Sequence, residues 1–137
     1  MYFLGAKQAE VKRWLSQLPV KTAEVDGRTY FYIENGKSYD RDIPPCQFLA
    51  GFDQLMLGYQ KKESLYLAPD HLRRIFNLAG IVMPALLIHG KVAGRWKKKG
   101  RRLTVEHFVP LKSRDIALIK TKAQELWDNI SSFEFVM

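Results

Sequence analysis

KVAGRWKKKGRRLTVEHFV, Lys91 to Val109, decides the fold. Val92 and Trp96 precede Gly100, and Leu103, Val105 and Val109 follow it, with polar residues between. Such alternation on both sides of a glycine predicts two antiparallel strands joined by a tight turn. Six of the eight residues from Arg95 to Arg102 are cationic: Arg95, Lys97, Lys98, Lys99, Arg101 and Arg102. The chain as a whole carries a formal net charge of +8, so this segment supplies most of the excess. The expected object is a β-ribbon with a cationic tip and an apolar base. Cations crowded on one tip repel one another, and a polyanion seated there relieves the repulsion. Two blander readings stay open: edge strands carry Lys to block unwanted pairing, and a charge run can be a solvated face. Alternation puts Arg95, Lys97 and Lys99 on one face and Trp96 on the other, with Val92 and Lys98. Trp96 then either anchors the ribbon in the core or stacks beside phosphate contacts. The candidate nucleic-acid-binding residues are Lys91, Arg95, Trp96, Lys97, Lys98, Lys99, Arg101 and Arg102.

Outward from the ribbon, Ile81 to Ile88 precedes His89-Gly90, so Ile81–Ile88, Val92–Lys98 and Arg102–Val109 form a three-stranded meander. A middle strand of about eight residues is roughly 27 Å long. Pro84 makes the first strand a poor central one, so it belongs at an edge or beside a bulge. Ser113 to Ser132 follows as a helix, with Ser113 as N-cap and Asp115 in the first turn. Ile116, Ile119, Ala123, Leu126, Trp127 and Ile130 make one stripe at helical spacing, placed to close over the sheet. Phe133 to Met137 adds a weaker strand.

Upstream, Pro69 and Asp70 open a helix to about Phe76, with Leu72, Ile75 and Phe76 inward, Arg73 and Arg74 outward, and Asn77 and Gly80 as the stop. FLAGFDQLMLGY, Phe48 to Tyr59, is either a buried strand or a short helix. Asp53 within it caps a helix Gln54–Leu57 or, on a sharper reading, steers a ligand or catalyses. Asn35 to Cys46 is punctuated like a linker. Residues 6 to 18 form a short helix with Val11, Trp14, Leu15 and Leu18 on one side, ended by Pro19. Val20–Val25 and Arg28–Ile33 flank Asp26-Gly27, a strong hairpin signal. Helix then hairpin is the tail of a winged helix, so residues 1–36 are a remnant of that motif and 37–137 the larger domain.

A chain of 137 residues, 47% hydrophobic, suits one globular body with a real core. No apolar run reaches the about 18 residues of a membrane span, and MYFLGAKQ lacks the charged start of a signal peptide. A lone cysteine, Cys46, rules out an internal disulfide and suits a reducing cytosol, so a cytoplasmic, nucleoid-associated protein is expected. The isoelectric point near 9.7 points to an acidic partner. Double-stranded DNA leads. Acidic lipid is second, because it calls for a basic amphipathic helix. His71, His89 and His107 are scattered without ligand spacing, and Glu106 and Glu134 show no legible pairing. No phosphate loop, nucleophile elbow or dinucleotide fingerprint is present, so no metal, cofactor or catalytic residue is assigned.

The run FDQLMLGYQKKESL, then PDHLRRIF and GIVMPALLIHGKVAGRWKKKGRRLTVEHFVPL, resembles the C-terminal part of the winged-helix DNA-binding domain-containing family. That bacterial family includes interstrand-crosslink DNA glycosylases. The likeness rests on Phe52, Asp53, Leu57, Gly58 and Tyr59, on Gly80, Ile81, Val82 and Pro84, and on Gly90, Val92, Gly94 and Trp96. Residues 6 to 34 are more weakly similar to its last helix and wing. The resemblance implies DNA binding and tandem winged helices backed by a barrel-like C-terminal domain. The implied fold class is α+β: a partial winged helix, then an antiparallel, barrel-like sheet packed by a long C-terminal helix. Glycosidic-bond hydrolysis is implied only for members with a Gln-x-Gln pair. Here the glutamines stand at 8, 17, 47, 54, 60 and 124, with no such pair, and the chain reads as a C-terminal fragment or a shortened member. The leading expectation is therefore a DNA-binding module without its own chemistry, gripping phosphates with no base preference. Six tip charges on phosphates would give a log K against log salt slope of about −5. The alternatives are a piece of a repair glycosylase acting on alkylated or crosslinked DNA, and a protein-interaction domain whose tip meets an acidic surface.

Overall fold

The structure, a computed structural model, describes residues 5–25, 27–37 and 43–137. The expected Asp26 of the first turn, Met1 to Leu4 and residues 38–42 of the linker lie outside these. The chain divides into two compact units, Met1–Asp42 and Ile43–Met137.

In the first unit, helix α1 (Gln8–Leu15) is shorter than the periodicity suggested. Glu10 reaches back to accept from the Lys7 amide at 2.9 Å, which fixes its start. Its end precedes Leu18, whose position before Pro19 disfavours helical backbone. Strands β1 (Val20–Val25) and β2 (Arg28–Ile33) pair antiparallel from Val20↔Ile33 to Val25↔Arg28. Gly27 has φ +71°, the left-handed conformation a two-residue hairpin turn needs. Among the described residues of this unit none is buried: Phe31 and Ile33 on β2 remain more than half exposed, at 53% and 54%.

The second unit is built on a five-stranded sheet in the order β3-β4-β5-β6-β7: Cys46–Phe48, Ala85–Ile88, Lys91–Lys99, Arg102–His107 and Ser132–Val136. The expected barrel is corrected to an open sheet, since β3 and β7 form its two outer edges. It is also not wholly antiparallel. Between β6 and β7 the chain crosses back through helix α4 (Ser113–Leu126), so β7 runs parallel to β6, from Arg102↔Ser132 to Glu106↔Val136. The expected meander is present as β4-β5-β6, with β3 added outside β4.

Two apolar clusters cover the sheet. On one face α4 presents Ile119 and Ala123 to Leu86, Ile88, Leu103 and Val105, all buried. Of the expected stripe, Ile119, Ala123, Trp127 and Ile130 join this cluster, with Leu118 added, while Ile116 and Leu126 do not. Leu126 is 47% exposed, because the backbone turns extended at Trp127 (φ −142°) and the helix stops there. The start is corrected too: Ser113 is already helical, and the Asp115 carboxylate accepts from the Lys112 amide at 3.1 Å. On the other face Met56, Leu67, Ile75, Phe76 and Val82 cover Ala85, Leu87, Val92 and Phe108.

The Phe48 to Tyr59 stretch resolves into both of its readings, β3 at its start and helix α2 (Gln54–Leu57) near its end. Asp53 Oδ1 accepts from the Leu55 amide at 2.9 Å, the expected cap. After a tight turn over Pro69–His71, helix α3 (Leu72–Ile75) is a single turn. Of the expected first meander strand only Ala85–Ile88 pairs continuously; Val82 makes an isolated bridge to Phe76. β4 lies between β3 and β5, so the edge expectation fails. The bulge expectation holds: Leu86 pairs with Gly94 but Leu87 with Val92, leaving Ala93 as the extra residue. Pro84 stands just ahead of the strand, where its missing N–H costs nothing, and its carbonyl accepts from the Trp96 amide at 3.2 Å.

Candidate nucleic-acid interface

The β5–β6 ladder runs out to Lys99↔Arg102, and Gly100 and Arg101 make the turn. Gly100 adopts φ +58°, which is why a glycine sits among the cations. Register sorts the ribbon into two faces. Trp96↔Val105 and Lys98↔Leu103 face α4; Arg95↔Glu106, Lys97↔Thr104 and Lys99↔Arg102 face away from it. Val92, expected beside Trp96, is on the opposite face with Leu87. The Ala93 bulge shifts the alternation by one residue, and a one-residue shift reverses every side chain.

Gly94 has a steric reason to be glycine. A Cβ there would lie 2.5 Å from the Glu106 carbonyl oxygen and 3.1 Å from His107 Cα. Those are backbone atoms of the paired strand, which cannot swing aside. At Gly94 β5 thus approaches β6 more closely than a side chain permits.

Trp96 is a core anchor. Its Nε1 donates to the Leu49 carbonyl at 2.9 Å, and its ring packs against Phe48 and Trp127 at centroid distances of 5.6 and 5.1 Å. Of its two open roles the structure fills the packing one: Trp96, Phe48 and Trp127 form a triangle of mutually contacting rings.

Arg95 is separated from the tip by its chemistry. Its Nε donates to Glu106 at 2.7 Å and its Nη2 lies 2.6 Å from the same oxygen. The other Glu106 oxygen accepts from Arg74 Nη2 at 2.9 Å. Arg74, expected to point outward, instead lies half-buried with its guanidinium 4.1 Å above the Phe108 ring. Burial alone would raise the Glu106 pKa, but the hydrogen bonds and charges of Arg74 and Arg95 outweigh it and hold the carboxyl below its ordinary value. Two arginines and one glutamate therefore pin α3 to the sheet. Arg95↔Glu106 is the fifth cross-strand pair from the turn, so half of this triad could have been counted from Gly100. Arg74, 32 residues from Glu106, left no such signal.

Lys91 is at the far end of β5, roughly 27 Å from Lys99 at strand rise. Its Nζ donates to the Leu65 carbonyl at 2.7 Å. Lys98, half-buried on the α4 face, donates to the Gly100 carbonyl at 2.9 Å and so braces the turn. Lys97, Lys99, Arg101 and Arg102 are exposed, and among the described residues their side chains have no hydrogen-bond or ion-pair partner. No acidic residue occurs between Trp96 and Val105. Glu134 on the neighbouring strand accepts from the Thr104 hydroxyl at 3.0 Å. Of the eight residues singled out in the sequence, five gather at one end: Lys97, Lys98, Lys99, Arg101 and Arg102. Arg95, Lys91 and Trp96 are engaged elsewhere.

The other candidates carry structure. Cys46 is buried, and burial first, with Glu125 adding to it against Lys122, pushes its thiol up to about 11, far from a reactive thiolate. His71 packs against Phe108 at 5.1 Å, His107 Nδ1 lies 2.9 Å from the Val109 carbonyl, and His89 Nε2 lies 3.6 Å from Asp115. Among the described residues no group of three or more His, Cys, Asp or Glu is placed to hold a metal ion. No described helix is long and apolar enough to cross a membrane.

Residues 1–128 match the family described as DNA glycosylase AlkZ-like. The interstrand DNA cross-link repair glycosylase of Streptomyces sahachiroi is 27% identical over 124 residues, which are 87% of this chain and 33% of that protein. The solved structure of Streptomyces sahachiroi DNA glycosylase AlkZ superposes with a TM-score of 0.79 at 21% identity, covering 96% of this chain and 38% of the other. That likeness concerns the fold. The chain spans about a third of the length of the curated relative it matches.

Proposed function

The chain belongs to the DNA glycosylase AlkZ-like family, and on that footing we propose that its second unit grips duplex DNA through the β5–β6 hairpin without performing base excision itself. The observation that carries this reading is the set of five cations at one end of the sheet, four of them with no partner among the described residues. Repulsion within such a cluster is relieved by phosphates, which supply most of non-specific affinity and carry no sequence information. No aromatic or aliphatic side chain stands between Lys97 and Arg102, so the tip holds the backbone and does not wedge between bases. Helix α1 followed by the β1–β2 hairpin has the order in which a winged helix ends, and we assign the first unit to that motif.

Hydrolysis of a glycosidic bond needs a group that activates water beside an extruded base. Asp53, the one carboxylate that attracted such a reading, spends an oxygen on the cap of α2. No two glutamines stand one residue apart in this chain. The catalytic step is therefore assigned to parts of the longer relatives that this chain does not match. Fluorescence anisotropy with labelled duplex DNA across a salt series tests binding, with a steep loss of affinity expected as salt rises. Incubation with alkylated duplex followed by strand scission at abasic sites tests catalysis. Salt-independent binding would refute the phosphate grip, and abasic sites that disappear in Asp53→Asn would refute the non-catalytic assignment.

A further inference from the structure

Beside the cationic tip, on the face turned away from α4, the sheet carries a depression of about 250 Å³ between β5, β6 and β7. Its walls include Met83 and Val136, and its floor and rim Arg95, Lys97, Thr104 and Glu106. We propose that it receives one unpaired nucleobase of the bound DNA, so that the domain prefers duplexes with an extruded nucleotide to intact ones. The inference rests on the DNA-binding reading above and specifies its substrate.

The volume lies below the about 300 Å³ at which pockets for drug-sized ligands begin, so a single ring system fills it. Its chemistry is mixed in the way such pockets require: apolar walls for the faces of a flat ring, and a few convergent polar groups for its edge. The polar groups are also held still. Glu106 is clamped by Arg74 at 2.9 Å and Arg95 at 2.7 Å, while the Arg95 Nη1 donates to the Arg74 carbonyl at 3.4 Å. A guanidinium has five N–H groups, more than these partners consume, so donors remain for a base carbonyl or ring nitrogen. Thr104 donates to Glu134 and keeps lone pairs with which to accept from an exocyclic amine.

Position supplies the rest. Lys97 on the rim, then Lys99 and Arg102 towards the turn, lie on this same face and lead from depression to tip. A strand held by its phosphates along these cations passes over the opening. A base within a duplex is stacked above and below and shows only its edge, so it cannot enter a hollow in a sheet face. A bulged or extruded base can, at the smaller unstacking cost of an already unpaired nucleotide.

The test compares an intact duplex with the same duplex carrying one bulged 2-aminopurine, by anisotropy and by the emission of that base. The bulged duplex is expected to bind about tenfold more tightly, the factor that about 1.4 kcal/mol of extra contact gives. Its 2-aminopurine emission is expected to change on binding, whereas the same base paired in an intact duplex stays unchanged. Thr104→Ile removes the hydroxyl and fills part of the hollow while keeping a β-branched residue in the strand. It should abolish the preference and leave intact-duplex affinity as it was. Equal affinity for the two duplexes, or unchanged emission from the bulged base, overturns the pocket while leaving the phosphate grip standing. A preference that survives in Thr104→Ile also overturns it, because bulge flexibility alone would then explain the effect. No binding to either duplex overturns the DNA-binding reading itself.

Discussion

Replacing the outermost cross-strand pair of the hairpin, Lys99→Ala with Arg102→Ala, tests the cationic tip most directly. These residues face one another next to the turn, are exposed, and have no internal partner among the described residues, so their loss removes charge without breaking a contact in the fold. Each phosphate neutralised contributes about −0.9 to the slope of log K against log salt. Five tip cations on phosphates give about −4.5, and the double variant, with three left, about −2.7. Between 50 and 200 mM salt the first slope costs about 500-fold in affinity and the second about 40-fold. Anisotropy titrations of a labelled duplex at four or five salt concentrations separate these values. Lys91→Ala serves as the control: its ammonium is engaged by the Leu65 carbonyl at the far end of β5, so the slope should not move. A double variant with the parental slope, or a Lys91 variant with a reduced one, would place the DNA contact elsewhere and refute the reasoning.

Glu106→Gln should lower stability at neutral pH by about 1–3 kcal/mol, because charged hydrogen bonds from Arg74 and Arg95 are weakened. The folded-state pKa of Glu106 lies below its ordinary 4.5, so the stability it contributes is present above that value and lost as pH falls through the folded one. Denaturation midpoints of the two proteins should accordingly converge on acidification below 4.5, and a constant gap would contradict the assignment. Gly94→Ala should cost about 1–3 kcal/mol in urea denaturation through forced separation of β5 from β6; a neutral result would mean the close approach is not needed. Asp53→Ala should lose about 1 kcal/mol while Asp53→Asn stays near the parent, since asparagine caps a helix as well as aspartate. An equal loss in both variants would show that the Asp53 charge, rather than its cap, is what matters.

Much of this fold can be read from local signals. The Gly90 and Gly100 turns bound β5, helical spacing marks α4, and Asp53 ahead of Gln54–Leu57 announces its cap. What escapes the reading is longer in range. Alternation places Val92 with Trp96 until Ala93 is known to be a bulge, and nothing in the residues 91–96 marks one except Gly94, whose need is set by a backbone on another strand. The parallel return of β7 depends on where α4 lays the chain down, not on the composition of Ser132–Val136. At the interface, the crowding of cations is visible in one dimension, but their division is not. Arg95 resembles its neighbours in sequence and is separated from them by Glu106 and Arg74, brought together from two other elements. Removing Arg95 from the tip reduces the expected salt slope by about 0.9, to about −4.5.

The absence of any buried residue among the described positions of the first unit bears on how the protein opens. A lone two-stranded ribbon beside a short helix is marginal in water, because little apolar area leaves solvent when it forms. Amide protons of β1 and β2 should therefore exchange for deuterium early. Those of β4 and of the inner end of β5, where residues of both apolar clusters alternate, should be released only when the second unit melts as a whole. Peptide-level exchange would then draw two clocks within one short polypeptide, with the slow one beneath the cationic ribbon.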